Sequence, residues 1–246
     1  MGGLLRLDQA LVARGLVETR SRAQALISAG VVLVNGQPAA KASTRVDGGA
    51  VLGLAADPMP WVSRAAAKLL HALETFDLDP AGATALDLGS STGGFTEVLL
   101  ARGAAKVFAL DVGHGQLHPK LAADPRVVAM EGVNARDIDP AMFPPLDWIT
   151  ADLSFISLEK ALPAALACAA RPARIVALVK PQFEAGPEAV GKGGIVRDPA
   201  ARQAACARIS GFFARHGWHP YEPVESPVTG ADGNREFLIT ATRRPA

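Results

Sequence analysis

The feature that most constrains this chain is a series of short apolar runs, separated by helical segments, that begins after Ser63. TALDLGS (84–90), KVFALDV (106–112), RVVAMEG (126–132), LDWITADLS (146–154) and RIVALVKP (174–181) are near-continuously apolar in their middles. Runs of that kind are strands buried on both faces, and such strands need helices above and below them. Helical segments at 64–76, 94–102, 157–170 and 198–216 supply that cover. The alternation predicts an α/β fold, a doubly wound Rossmann-like sheet that is mainly parallel. Two closing runs, around 220–228 and 236–242, have no helix signal between them and predict an antiparallel edge.

The first 54 residues follow another rhythm. RLDQALVARGLV places Leu7, Ala10, Leu11 and Leu16 at helical spacing, with Gly15 as a stop. Thr19 or Ser21 caps a second short helix, SRAQALISAG, closed by Gly30. VVLVNG and VDGGAVLGL follow, and Asn35-Gly36 is a tight-turn signal between short strands. The expected organisation is a small α+β head at 1–54, a linker at 55–62 (AADPMPWV) and a large domain at 63–246. The head holds six Lys/Arg against three acids, a net +3, whereas the rest nets −2. A basic head on a near-neutral body points to a polyanion as partner.

Several classes are set aside on composition. Cys168 and Cys206 are too few for a disulfide framework and lack metal-ligand spacing, so a reduced cytosolic setting is expected. MGGLLRLDQA has no signal-peptide core, and no apolar run reaches the length of a membrane span. His114 and His118 are four apart, but the flanking glycine and proline argue against a helix-borne metal pair. No metal is expected.

Two constellations carry chemistry. Asp87-Leu-Gly89-Ser90-Ser91-Thr-Gly93-Gly94-Phe95 is a strand running into a glycine-rich turn and a helix, where open α/β sheets bind nucleotides. It lacks the GKS/GKT of a phosphate loop and does not match G-x-G-x-x-G. Asp111 ends the next strand, where a carboxylate can accept hydrogen bonds from both ribose hydroxyls. An adenosine-type cofactor held without a pyrophosphate grip is S-adenosylmethionine. The second constellation is Lys68, Asp152, Lys180 and Glu236, four charged residues on the first large-domain helix or at apolar strand ends. Charges at the carboxyl ends of such strands project into the ligand crevice. Glu184–Asp198, a glycine-rich loop directly after Lys180, reads as a lid or substrate loop, or as a plain connection.

These residues also carry a resemblance. RLDQALVARGLVETRSRAQALISAGVVLVNG resembles the RNA-binding module first known from ribosomal protein S-four, and the remainder resembles FtsJ-like RNA ribose methyltransferases. With WVSRAAAKL, LDLGSSTGGFTEVLL, DVGHGQL, ADLSFISL, LVKPQFE and GGIVRDP, the chain is similar over nearly its whole length to the TlyA family. The resemblance implies S-adenosylmethionine-dependent 2′-O-methylation of cytidine in ribosomal RNA of the small or large subunit, or both. It implies ribosomal RNA or subunits as partner; beside it stand the expectations of a cytoplasmic setting and of a monomer, with the oligomeric state left open.

The family's Lys-Asp-Lys-Glu tetrad falls on Lys68, Asp152, Lys180 and Glu236. The implied cofactor positions are Asp87, Gly89, Ser90, Ser91, Gly93, Gly94, Phe95, Asp111 and Asn134, the last at the adenine end. Arg6, Arg20, Arg22 and Lys41 are the expected RNA contacts of the head. Two rivals stand beside this reading. One is a non-catalytic RNA-binding or assembly factor, against which the complete tetrad argues. The other is a membrane-active hemolysin, a label some members carry, for which the chain offers no membrane segment.

Overall fold

A computed structural model describes residues 4–55, 60–230 and 232–245. The chain divides into two compact units, Met1–Pro60 and Trp61–Ala246. The centre of the expected linker, 56–59, lies outside the described residues. Trp61 packs on the core of the larger unit.

In the smaller unit β1 (Leu5–Arg6) leads into α1 (Leu7–Ala13), and α2 (Arg20–Ser28) follows. Then come β2 (Val32–Val34), β3 (Gln37–Pro38), β4 (Arg45–Val46) and β5 (Leu52–Leu54). Both helices end in the same way. Gly15 and Gly30 take positive φ, which glycine adopts without a Cβ penalty. The amide after each glycine bonds back to Leu11 O or Leu26 O, closing a Schellman motif. Thr19 is the cap of α2, accepting from the Arg22 amide. Asn35 and Gly36, both at positive φ, turn β2 into β3, and β5 completes a three-stranded sheet. Leu7, Ala10 and Leu11 are buried as expected, but Leu16 is exposed because α1 has already ended before it.

The larger unit runs α3 (Ala66–Thr75), β6 (Thr84–Leu88), α4 (Gly94–Ala101), β7 (Lys106–Asp111), α5 (Pro119–Ala122), β8 (Val127–Glu131) and β9 (Leu146–Ala151). It continues with α6 (Leu158–Ala161), α7 (Pro163–Ala167), β10 (Ala169–Val179), α8 (Pro181–Glu184), α9 (Pro199–Arg215), β11 (His219–Pro220), β12 (Val224–Glu225) and β13 (Phe237–Arg243). The sheet order is β11-β13-β10-β9-β6-β7-β8, with β12 also on β13. β10, β9, β6, β7 and β8 are parallel neighbours. β13 is antiparallel to β10, as the closing runs predicted. Apolar clusters cover both sheet faces, one around Leu86, Ile149 and Phe213 and one around Leu69, Leu99 and Leu238.

One helix differs from expectation. The segment 157–170 is two short helices, since Pro163 opens the second and lacks the amide that would continue the first. Ala169 is already on β10, paired with Leu146. No helix among the described residues is long and apolar enough to cross a membrane.

Candidate active site

The order of parallel strands reverses at β6, with β7 on one side and β9 on the other, and ligand crevices of open α/β sheets form at such a point. The glycine-rich turn leaves β6 there. Gly89 takes φ +78°, and a Cβ on it would lie 2.6 Å from the Asp152 carbonyl oxygen, so only glycine lets the two strand ends approach. Gly93, at φ +97°, caps α4, and a Cβ there would strike Leu121. Gly94 faces Ser63 and the Ala66 amide closely as well.

A cavity of about 860 Å3 opens beside this turn, lined by Gly89, Ser91, Asp111, Asn134, Asp152 and Phe155 among others. Its size lies within the range of small-molecule and cofactor sites. Asp111 lines it, but its carboxylate is also a strut: Oδ2 accepts from the Ser91 amide at 2.9 Å and Oδ1 from the Gly113 amide at 2.8 Å. Each oxygen retains a second lone pair for a ribose hydroxyl. Asn134 caps the short helix Ala135–Asp137 through the Arg136 amide, at the same cavity. The donor set suits an adenosine, with small residues under the chain and acceptors at the ribose.

Asp87 does not line the cavity. It is buried beneath the turn, where Thr96 and Thr150 hydroxyls donate to its two oxygens at 2.7 and 2.8 Å. Burial pushes its pKa up to about 6, partly offset by those hydroxyls. Its part is to hold the turn, β9 and α4 together. Phe95 is likewise a core residue, and Ser90 and Phe95 sit at the second cavity.

That second cavity, about 320 Å3, shares Gly89, Ser91, Asp152, Ser154, Phe155 and Phe183 with the first. All four tetrad residues line it. Lys68 comes from the first turn of α3, Asp152 follows β9, Lys180 follows β10 and Glu236 precedes β13. The charges alternate along one chain of contacts. Lys180 Nζ lies 2.6 Å from Asp152 Oδ1 and donates to Ser154 Oγ at 2.9 Å. Lys68 Nζ donates to Asp152 Oδ2 at 3.3 Å and to Glu236 Oε2 at 2.8 Å. Lys68, Lys180 and Glu236 are all buried, and each lies against a group of opposite charge, which offsets part of the cost of burial.

Other residues, which the sequence did not single out, complete the site. Phe155 is 91% exposed at positive φ, with its ring 5.3 Å from Phe183, on the rim shared by both cavities. Its place three residues past a strand-end aspartate was the available signal. Glu184 is buried, accepts from the Leu158 amide at 2.7 Å and from Arg208 at 3.0 Å, and so ties the segment after Lys180 to α6 and α9. Asn234, 1% exposed, accepts from the Val196 amide and donates to Gly194 O. It pins the loop read as a lid or as a plain connection to the strand end that carries Glu236. Val196 of that loop is buried.

In the head, Arg6 and Arg20 meet at the Asp8 carboxylate, at 3.0 and 3.1 Å. Arg22 lies half-buried on α2, and Lys41 stands exposed between β3 and β4. Two further arginines serve the head's own structure: Arg14 donates to Ala50 O and Asp47 O, and Arg45 to Leu4 O.

Fold and site define a doubly wound methyltransferase with a basic α+β head, and comparisons with known proteins agree. The FtsJ-like methyltransferase family matches residues 61–243, and the S4 domain matches residues 5–52. The 16S/23S rRNA (cytidine-2′-O)-methyltransferase TlyA of Mycobacterium tuberculosis is 49% identical over 95% of this chain and 88% of its own. Hemolysin A of Brachyspira hyodysenteriae is 40% identical over 95% and 98%. A solved structure described as a hemolysin from Streptococcus thermophilus superposes with a TM-score of 0.76, at 38% identity, over 99% of this chain and 90% of that one. The chain belongs to the TlyA family of FtsJ-like methyltransferases.

Proposed function

We propose that this protein transfers a methyl group from S-adenosylmethionine to the 2′-hydroxyl of a cytidine in ribosomal RNA, in the cytoplasm. The observation that carries this reading is the buried chain Lys180–Asp152–Lys68–Glu236, which lines the smaller cavity and reaches the larger one through Asp152. The larger cavity suits the cofactor and the smaller one the acceptor ribose. When bound, the cofactor supplies an electrophilic methyl group on a sulfonium. The residues of the chain then have to bring one hydroxyl oxygen in line with that carbon and exclude competing water.

Lys180 is assigned to the hydroxyl. Ser154 Oγ accepts one of its hydrogens and Asp152 pairs with it by charge at 2.6 Å, so another hydrogen-bonding position can face the acceptor oxygen. Lys180 orients that oxygen and is the basic group placed to take up the hydroxyl proton when the oxygen is methylated. Asp152 fixes Lys180 in place, and Lys68 with Glu236 keeps Asp152 from turning away. Phe155 offers an exposed ring on which the base of the acceptor nucleotide can stack. The head captures the RNA through Arg6, Arg20, Arg22 and Lys41. Its match to the S4 domain, and the names of the family's characterised relatives, support RNA as the substrate.

The test is transfer of labelled methyl groups from S-adenosylmethionine to unmodified ribosomal subunits, with the product mapped by mass spectrometry. Wild type is expected to yield a ribose-methylated cytidine, and Lys180→Ala to bind the cofactor but lose at least about 100-fold in turnover. Undiminished turnover in the variant would remove Lys180 from the mechanism. Cofactor binding without transfer by wild type would favour a binding factor instead.

A further inference from the structure

We propose that Asp8 is the positioning residue of the RNA-binding head, a buried carboxylate that sets Arg6 and Arg20 side by side as a clamp for the RNA phosphate backbone. This rests on reading the head as an RNA-capture module. Asp8 sits in the first turn of α1 and is 0% exposed. A buried carboxylate is tolerated only when donors surround it, and the donors here come from the end of β1 and from both helices. Arg6 gives Nε to Oδ1 at 3.0 Å and an Nη to Oδ2 at 3.2 Å. Arg20 gives one Nη to Oδ2 at 3.1 Å, Gln24 gives its amide to the same oxygen at 2.9 Å, and the Gln9 amide serves Oδ1. Hydrogen bonding by Arg6 outweighs burial and holds the carboxyl well below the usual carboxylate range.

The two arginines are not buried with it. Their side chains are 37% and 53% exposed. A guanidinium has five N–H donors in a planar fork. Arg6 spends two on Asp8 and Arg20 spends one, so each can bind phosphate with its remaining edge while the carboxylate fixes the other. Without the carboxylate between them, the two cations would repel each other. A long, flexible side chain held before binding loses less freedom when the ligand arrives, which is how a residue that never touches RNA can raise its affinity.

Asp8→Asn separates this role from a simple charge effect, because it adds one unit of positive charge to the head. A charge-only account predicts tighter RNA binding with an equal or steeper salt dependence. Positioning predicts weaker binding, by about 5- to 100-fold for two arginines released from their anchor. The affinity of the full chain for unmodified ribosomal RNA would be measured against salt, for wild type, Asp8→Asn, Arg20→Ala and the double variant. The expected result is a loss in Asp8→Asn, a shallower salt slope and clear non-additivity with Arg20→Ala. Equal or tighter binding by Asp8→Asn, with Arg20→Ala impaired, overturns the positioning role alone. No loss in Arg20→Ala overturns RNA capture by this clamp, and the inference with it. Should Asp8→Asn fail to fold, R6K/R20K carries the test, since lysine keeps the charge but cannot bridge carboxylate and phosphate with one planar group. A loss comparable to that of Arg20→Ala supports the clamp, and wild-type affinity overturns it.

Discussion

Gly89→Ala tests the link between backbone geometry and chemistry at the site. Gly89 sits at φ +78°, and an added methyl would lie 2.6 Å from Asp152 O and 3.1 Å from its carbonyl carbon. Neither is the end of a flexible side chain, so the strand end carrying Asp152 must retreat by about 0.8 Å to reach ordinary contact at 3.4 Å. The left-handed conformation alone costs alanine about 1–2 kcal/mol, or about 2–8 °C of melting temperature in a chain of this size. The retreat acts on chemistry instead. Asp152 holds Lys180 at 2.6 Å and Lys68 at 3.3 Å, and a displacement near 1 Å at a reacting centre lowers rates by about 100-fold. Gly82→Ala is the matched control, because Gly82 has φ +74° but nothing within 4 Å of an added Cβ. Both variants should melt earlier, and only Gly89→Ala should lose turnover in the methyl-transfer assay. Turnover of Gly89→Ala within about threefold of wild type would refute the reasoning.

Three other outcomes are expected. Burial raises Asp87 to about 6 from 3.8, so between those values the folded chain keeps a proton that the unfolded chain gives up. Stability therefore falls as pH rises through that window, by an amount on the order of 3 kcal/mol that is fully felt above about pH 6. Asp87→Asn keeps a side chain that can bond both threonine hydroxyls and should gain on wild type in urea midpoint between about pH 4.5 and 7; a pH-independent difference would contradict this. Asn234→Ala unpairs the Val196 amide and Gly194 O, at about 1–3 kcal/mol, and trypsin should cut at Lys192 or Arg197 faster in the variant. An unchanged cleavage rate would show that Asn234 does not pin the loop. Lys180→Ala, the test of the proposed function, should bind the cofactor as wild type does and lose turnover by at least about 100-fold.

The features legible along the chain are those that local chemistry decides. Strands such as VFAL (107–110) and IVALV (175–179) declare themselves because burial on both faces leaves only apolar side chains. Gly15, Gly30 and Asn35-Gly36 mark their turns because few residues tolerate positive φ. Asp152, Lys180 and Glu236 were visible as charges at strand ends, which the sheet topology directs to one crevice, and Lys68 as a charge on the first large-domain helix. Pro163 and the split of the 157–170 helix went the other way. There, Pro163 was a break that local sequence did offer, and only the early end of the segment, where Ala169 pairs with Leu146 and the chain enters β10, depends on a strand distant in sequence.

The sequence by itself determined the fold class, the glycine-rich turn and the set of charges at the site. Only the tertiary structure decided which charge answers which. Lys68 reaches Asp152 across 84 residues and Glu236 across 168, and no local pattern records that order. The same holds for Asp87, whose carboxylate turned inward to two threonines, and for Asp111, both of whose oxygens brace backbone amides. It holds also for the glycine-rich loop after Lys180, whose composition suggests freedom until Asn234 arrives 40 residues after Gly194 to hold it. The physical reason is common to all of these. A buried polar group must find its partner wherever the fold brings one, and that distance is set by chain topology.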